Sequence, residues 1–240
     1  MLRLLKTTLL LGLLALAALL LYGRSRSHPE SMPWTPLDLS QPVGAFTGRK
    51  LAALSGNGAQ CRSLLARAGV RYTALPDRQN DAQCGYRNAV RFRSGGALEA
   101  DYAPADLGVS CPVAAALALW EWHVVQPAAL RHLGAKVARI DHYGSYSCRR
   151  MYNRPGAAWS EHAGANAVDI AGFRLENGRR ISVLGDWQDG DARAAFLREV
   201  RDGACGLFAT VLSPDYNEAH RDHLHFDQAD RGEWGWRACR

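Results

Sequence analysis

The sequence predicts an α+β protein in which β-hairpins are mixed with helices. Two helical signals, over residues 111–132 and 191–205, are interspersed with short segments that have the composition of strands. The dipeptide Asn177-Gly178 separates two of these segments and is a strong short-range signal for a β-hairpin. Hairpins mixed with helices favour an α+β fold over a parallel sheet, in which strands and helices would alternate.

The length and composition are those of an ordinary globular protein. The 240 residues are 48% hydrophobic and 22% charged, which excludes a disordered or low-complexity chain. Four of the 29 basic residues lie within the first 26 positions, so residues 27–240 hold 25 basic and 23 acidic residues and carry only +2. Nucleic-acid binding would need a concentrated basic face, and we therefore expect no nucleic-acid partner.

Residues 1–23 are predicted to be a membrane anchor or a signal segment. No charged residue occurs from Thr7 to Gly23, and these 17 residues would form a helix of about 26 Å, close to the thickness of a bilayer core. A cleaved signal peptide requires a small-x-small site, and the candidate Ser25-Arg26-Ser27 contains an arginine. An uncleaved anchor is therefore favoured over a cleaved signal peptide, and both would export the chain.

Residues 24–45 contain four prolines and are predicted to be an extended tether. The domain is then expected to occupy residues 46–240. Within it, residues 57–69 resemble a short amphipathic helix that ends at Gly69, and residues 71–77 and 86–96 resemble strands.

The strongest helical signal begins at Cys111. Pro112 suits its first turn and Gly134 follows its end, whereas Pro127 should break or kink it. Further along, residues 137–148 resemble a strand that runs into a turn, and the helix of residues 191–205 should end at Gly203. Residues 208–217 and 223–229 then resemble a strand, a loop and a final strand.

Six cysteines indicate disulfide bonds in an exported domain. They are Cys61, Cys84, Cys111, Cys148, Cys205 and Cys239. No CxxC pair is present, which argues against a zinc ribbon or a thioredoxin-like redox site. Three bridges allow fifteen connectivities, of which we favour Cys61 with Cys84 and Cys148 with Cys205.

The residues that carry chemistry lie in two segments, 160–169 and 222–227. His223 and His225 are two positions apart, so on a strand both imidazoles point to one face. Asp169 enters an apolar strand, where an unpartnered carboxylate would be costly, and small residues separate it from His162. Two imidazoles and one carboxylate form a typical three-ligand zinc site with its fourth position open. The alternative is that Asp169 pairs with an arginine and that the histidines are surface residues.

These segments resemble known families. The sequence SEHAGANAVD is similar to the SxHxxGxAxD signature of a group that includes D-alanyl-D-alanine carboxypeptidases, lysostaphin-type endopeptidases and the hedgehog domain, and HLH is similar to its HxH motif. The segments GSYSCR, VLSPDYN and HRDHLHFD resemble the bacterial extensin-like C-terminal family over roughly residues 46–240. The resemblance implies an antiparallel sheet of the hedgehog and DD-peptidase type that carries the zinc site.

The resemblance also implies roles for individual residues. Zinc (Zn2+) would be bound by His162, Asp169 and His225. His223 would be the acid/base, with Asp222 as a rival base because some relatives have a glutamate at that position.

Further positions lie near the motifs. Arg149 lies in a segment similar to the SxYR motif of related peptidases and would contact an oxyanion or carboxylate, unless it is a solvated arginine beside a disulfide. Ala165 replaces an expected glycine, and Ser160 would support the metal loop. His142 and His220 lie near the motifs but are assigned no role.

The expected function is that of an enzyme, a zinc-dependent peptidase that acts on peptidoglycan stem peptides or crosslinks. It would be of the DD-carboxypeptidase or endopeptidase type, in the periplasm and anchored to the inner membrane. The alternative is a non-catalytic zinc-containing module that binds or organises the cell wall.

Overall fold

A computed structural model describes residues 1–232 and 236–240. Its first helix, α1 (Leu2–Ser27), spans 26 residues, contains an 18-residue stretch with a mean hydropathy of 2.3 and buries none of its side chains. At 1.5 Å per residue it is about 39 Å long, enough to cross a bilayer. It is therefore compatible with the predicted membrane anchor.

The other helices and the strands are numbered in chain order. The helices are α2 (Thr47–Ala52), α3 (Gly58–Arg67), α4 (Cys111–Trp120), α5 (Gln126–Leu133), α6 (Val183–Asp186) and α7 (Ala192–Ala204). The strands are β1 (Val70–Ala74), β2 (Arg78–Gln79), β3 (Gly85–Tyr86), β4 (Ala89–Gly96), β5 (Asp101–Ala103), β6 (Gly108–Ser110), β7 (Val137–Gly144), β8 (Ala167–Leu175), β9 (Arg180–Ser182), β10 (Thr210–Leu212), β11 (Leu224–Asp227) and β12 (Ala238–Cys239).

The main sheet has the order β12-β10-β11-β8-β7-β5, and β9 pairs with β8 through the predicted Asn177-Gly178 hairpin. Its pairings are antiparallel except at the two edges, where β5 runs parallel to β7 and β12 runs parallel to β10. A smaller antiparallel sheet has the order β1-β4-β6. Mixed helices and largely antiparallel strands confirm the predicted α+β class.

Helix α4 is the centre of the core. All ten of its residues are buried, and Trp120 at its end packs against Phe173 of β8 and Phe226 of β11, with ring centroids 5.9 and 5.2 Å apart. The Trp120 indole N–H donates to the backbone carbonyl of Val200, which ties α7 to the same core. Helix α4 thus packs against β8 and β11, the two strands that carry site residues, and fixes their position.

Pro127 modifies the long helix without breaking it. A π-helical segment, Glu121–Val125, joins α4 to α5, and Pro127 is the second residue of α5. Because proline has no N–H to donate, a widened turn before it accommodates the missing bond.

The predicted helix over residues 191–205 is present as α7, which runs one residue past the predicted end at Gly203. A side chain at Gly203 would collide with Val124, with its Cβ 2.3 Å from the nearest Val124 carbon.

Part of the predicted tether packs against the domain. Leu39 is only 2% exposed and belongs to the hydrophobic core, and Leu37 and Val43 pack beside it. The Lys50 ammonium of α2 donates to the Thr35 hydroxyl at 2.9 Å. The prediction of an extended tether over residues 24–45 is therefore wrong, because residues 24–27 continue α1, residues 29–31 form a 3-10 turn and the apolar side chains that follow find a buried surface.

The disulfide prediction is wrong in both favoured pairs. The bonds are Cys61–Cys111, Cys84–Cys148 and Cys205–Cys239, with Cα–Cα distances of 6.0, 5.4 and 5.7 Å. Each bond joins elements that the fold packs together: α3 with α4, the β2–β3 turn with the loop after β7, and the end of α7 with β12. The connectivity follows from tertiary packing, which the spacing of cysteines along the chain does not reveal.

Candidate metal centre

Strand register brings two of the predicted ligands together. Asp169 of β8 and His225 of β11 are directly opposite partners in an antiparallel pair. Opposite partners share a face, with Cβ atoms about 5 Å apart. Their neighbours Ile170 and Leu224 are fully buried on the other face. Alternation along each strand thus turns apolar side chains to α4 and the two polar ones to a cleft.

The third predicted ligand, His162, is held by a short 3-10 turn, Glu161–Gly164. The Ser160 hydroxyl accepts from the backbone N–H of His162 at 3.3 Å, as expected for a supporting residue. Ala165 ends the turn in a left-handed conformation, with φ of 52°. Glycine adopts this conformation without strain, which explains why the related motif has glycine at that position.

The donor atoms of His162, Asp169 and His225 have the spacing of a tetrahedral site. His162 Nε2 lies 3.2 Å from Asp169 Oδ2 and 3.2 Å from His225 Nδ1, and His225 Nδ1 lies 2.9 Å from Asp169 Oδ1. Ligands about 2.0–2.1 Å from a tetrahedral zinc ion would be separated by roughly 3.3 Å. The three side chains could therefore hold a single ion after small adjustments.

The outer nitrogens of both histidines have hydrogen-bond acceptors. His162 Nδ1 lies 2.6 Å from the backbone carbonyl of Ser145, and His225 Nε2 lies 3.2 Å from the buried carboxylate of Asp227. Protons on the outer nitrogens would leave His162 Nε2 and His225 Nδ1 to bind an ion, which has to displace the proton that holds these inner nitrogens to Asp169 in the ion-free chain. Such partners are typical of histidines that bind metals.

The electrostatics of the group favour a charged Asp169. Burial opposes its ionisation, but hydrogen bonds with His162 and His225 hold the pKa of this carboxyl well below its usual range. Burial also lowers the pKa of His225, yet Asp169 and Asp227 outweigh it and raise that pKa to about 9. Among the described residues, the ion-pair partners of Asp169 are histidines. The alternative prediction, that Asp169 pairs with an arginine, is therefore wrong.

His223 and Asp222 differ in their access to the centre. His223 lies just before β11, and its Nε2 is 3.5 Å from Asp169 Oδ1. Its Nδ1 lies 2.8 Å from Asp222 Oδ1, and its ring meets Tyr143 edge-on at 6.0 Å. His223 therefore reaches Asp169 directly, whereas Asp222 contacts the outer side of the His223 ring.

The group lies in a cleft of about 460 Å³. Its walls include Arg149, Tyr152, Trp159 and Tyr216. Arg149 is half-buried, and its backbone carbonyl accepts from the N–H of Ser160 at 3.2 Å. The structure thus places the predicted arginine on the same cleft as the three predicted ligands.

His220 also lines the cleft, although the sequence analysis assigned it no role. It is 8% exposed, its Nδ1 lies 2.7 Å from Asn217 Oδ1, and its ring centroid is 5.2 Å from that of His223. Burial, with the nearby His223, His225 and Arg149, lowers its pKa to about 4, so it is neutral at pH 7. The sequence signal for His220 is the spacing H-x-x-H-x-H, which begins at this residue. His220 is the last residue of a short 3-10 helix that brings its side chain to the cleft.

His142 has a different environment. It lies on β7, is buried and has its Nε2 2.8 Å from the backbone carbonyl of Pro104. Its ring packs near Tyr102, with centroids 6.5 Å apart. These contacts are those of a structural histidine.

Comparison with known proteins gives one family match. The family described as "Extensin-like protein C-terminus" matches residues 59–240, which is 182 of the 240 residues. The matched range includes all six predicted site residues. No curated protein and no solved structure matches the chain.

Proposed function

The chain belongs to the extensin-like C-terminal family, and we propose that its domain is a zinc-dependent peptidase acting on peptidoglycan stem peptides or crosslinks. The observation that carries the proposal is the spacing of His162 Nε2, Asp169 and His225 Nδ1, at 2.9–3.2 Å from one another in a cleft. The resemblance of both motifs to zinc peptidases supports the same assignment.

The donor set suits zinc. Once an ion has displaced the inner proton of His225, two neutral imidazoles and one carboxylate would leave a fourth tetrahedral position open, as in catalytic zinc sites. Nitrogen donors favour zinc over magnesium or calcium, which prefer oxygen ligands. When bound, zinc supplies the Lewis acidity that polarises a carbonyl group and lowers the pKa of water.

His223 is the proposed general base. With its Nδ1–H donated to Asp222, its Nε2 carries the free lone pair on the side of Asp169. It can take a proton from the attacking water and pass it to the leaving amine. Asp222 acts through His223, because it fixes the ring orientation and stabilises the imidazolium that forms.

His220 and Arg149 complete the proposed machinery. His220 donates its Nδ1–H to Asn217, so its other nitrogen is an acceptor beside His223. Arg149 supplies a guanidinium group, whose two parallel N–H donors match a carboxylate or a developing oxyanion. This arrangement suits a substrate with a free or neighbouring carboxylate.

The location is consistent with a cell-wall substrate. Three disulfides fit a domain outside the cytoplasm, and α1 is able to anchor it. In our proposal the domain faces the periplasm from the inner membrane, within reach of peptidoglycan.

The test is incubation of the zinc-loaded full chain, in detergent, with isolated muropeptides. We expect release of D-alanine or resolution of crosslinks, detected by mass spectrometry. A protein that retains zinc and leaves every muropeptide intact would contradict the enzyme. Binding to intact sacculi under those conditions would instead support the non-catalytic wall-binding module.

A further inference from the structure

Large apolar side chains are exposed around the cleft. Beyond residue 27, eight such side chains are exposed among the described residues, and four of the eight belong to this one area. Met151, Tyr152 and Tyr216 line the cleft, and Tyr143 packs edge-on against His223. Exposed apolar side chains that are gathered in one place mark a binding surface.

Aromatic rings predominate in this area. The aromatic rim consists of four side chains: Tyr143, Tyr152, Trp159 and Tyr216. The ring centroid of Tyr216 lies 5.5 Å from that of His220, and the Arg150 guanidinium lies 4.5 Å from the ring centroid of Trp159. These contacts hold the rings in place before a ligand binds, which lowers the entropic cost of binding.

Tyr152 is presented to the cleft by a strained backbone. Its φ is 54°, and that of Asn153 is also 54°. A bulky side chain rarely adopts this left-handed conformation, and such strain is typical of functional sites and ligand clamps. The Asn217 amide donates to the Tyr152 hydroxyl at 3.2 Å, which fixes the ring and leaves the hydrogen of that hydroxyl to donate to a ligand. The strain therefore points to a ligand at the aromatic rim.

The chemistry of the aromatic rim suits a sugar ring. Each rim side chain has an apolar face, and three of the four carry a hydroxyl at the edge of the ring. A pyranose ring is complementary, because C–H bonds cover its faces and hydroxyl groups surround its edge. Its C–H groups can stack on the electron-rich face of an aromatic ring. A stem peptide, which is built mainly of alanine and charged residues, offers no comparable face.

The position of the aromatic rim supports the same ligand. Its three tyrosines are 42–61% exposed, whereas the three predicted metal ligands are at most 9% exposed. A peptide bound at the candidate centre would therefore lie deeper than the rim. The sugar to which a stem peptide is attached would project outwards, to the level of the exposed rings.

We infer that the aromatic rim is a saccharide subsite, which binds an N-acetylated amino sugar of the glycan strand by stacking. This inference rests on the proposed function and narrows its substrate class. The substrate is a stem peptide that is still attached to its sugar, in preference to a free peptide.

The test measures binding by calorimetry on the full chain in detergent. One probe is the β-1,4-linked tetramer of N-acetylglucosamine, which contains no peptide and is added to the zinc-loaded and the zinc-free chain. The second is a pair, a stem peptide with its disaccharide and the same peptide without it, added to the zinc-loaded chain. A leucine-rich peptide is included because an apolar protein segment is the other ligand that exposed rings could bind.

The variants separate the ring from its hydroxyl. Tyr152→Ala and Tyr216→Ala each remove one ring, whereas Tyr152→Phe and Tyr216→Phe remove only the hydroxyl. The matched control is Trp34→Ala, which removes an exposed aromatic side chain that does not line the cleft.

We expect the tetramer to bind with or without zinc, and the disaccharide to tighten peptide binding roughly 10-fold, as stacking on two rings would provide. Each alanine variant should reduce both effects roughly 3-fold or more, whereas the phenylalanine variants and Trp34→Ala should retain most of them.

The inference is overturned if the tetramer does not bind, if the disaccharide adds no affinity, or if both alanine variants match the unaltered protein. Binding of the leucine-rich peptide in place of the tetramer would overturn it in favour of a protein partner. Saccharide binding without cleavage of any muropeptide would contradict only the peptidase proposal.

Discussion

Asp169 and His225 face each other across β8 and β11, with 2.9 Å between Asp169 Oδ1 and His225 Nδ1. Their position depends on strand register, because a slip of one residue in either strand would turn its side chain towards α4 and bring an apolar neighbour into the cleft. The core contacts of Phe173 and Phe226 with Trp120 oppose such a slip. The packing that fixes the central sheet therefore also fixes the relative position of Asp169 and His225.

Replacement of His223 should separate catalysis from metal binding. His223→Ala removes the proposed base but none of the three proposed ligands, so hydrolysis of muropeptides should fall roughly 10²–10⁴-fold. Zinc content and melting temperature should change little. The measurements are kcat by chromatography of products and zinc by mass spectrometry.

The matched control for this variant is His123→Ala, an exposed histidine on the π-helical segment behind the core. It should retain full activity. Equal activity in His223→Ala and the unaltered protein would remove His223 from the mechanism and favour Asp222 as the base.

The disulfide beside Arg149 should affect both stability and substrate binding. Cys84–Cys148 ties the β2–β3 turn to the residue that precedes Arg149, so its replacement by two serines should free that loop. We expect a loss of about 2–4 kcal/mol in the free energy of unfolding and a raised KM. Replacement of Cys61–Cys111, which lies away from the cleft, should cost similar stability and leave KM unchanged.

The segment before the domain should contribute to folding. Leu39→Ala should lower the free energy of unfolding by about 2–5 kcal/mol, because it removes a fully buried leucine. Leu184→Ala, at an exposed leucine, should change it by less than about 0.5 kcal/mol. Thermal unfolding of both variants checks this, and equal stability would show that residues 24–45 are a free tether after all.

Glu121 should make stability depend on pH. Burial raises the pKa of Glu121 to about 7, although the backbone N–H groups of Ala100 and Glu99 donate to its carboxylate. Between about 4.5, the pKa of an unfolded glutamate, and about 7 the folded protein binds more protons, so this group's contribution to stability falls as the pH rises. The loss should be complete above pH 7 and is on the order of 3 kcal/mol.

The variant that isolates this effect is Glu121→Gln, which keeps an oxygen acceptor but does not titrate. Its unfolding free energy should fall less between pH 5 and pH 8 than that of the unaltered protein. Glu176→Gln, at an exposed position, should follow the unaltered protein. Parallel curves for all three proteins would contradict a raised pKa at Glu121.

Local patterns predicted much of this structure, whereas long-range packing did not follow from them. Asn177-Gly178 indicated its hairpin, in which Gly178 takes a positive φ of 84° that glycine adopts without strain. The burial of Leu39 was not predicted, because the prolines around it are typical of a linker. The signal for burial is that Leu37, Leu39 and Val43 are more apolar than a free linker requires. The disulfide pairs depend on which elements pack together, and sequence spacing carries no information about that.

At the site, the sequence predicted which residues come together but did not distinguish their roles. His162, Asp169 and His225 converge as their motifs indicated. The choice between His223 and Asp222 required side-chain geometry, because adjacent residues can face the cleft or turn from it. His220 was not predicted as a site residue, because it lies on a 3-10 turn and not on the strand that carries His225.

The most direct test of the central claim is the zinc content of the purified full chain after dialysis. We predict one zinc ion per chain, lost in Asp169→Asn and His162→Ala and retained in His142→Ala, whose buried histidine contacts Pro104 instead. A chain without stoichiometric metal, or one whose metal survives Asp169→Asn, would contradict the account.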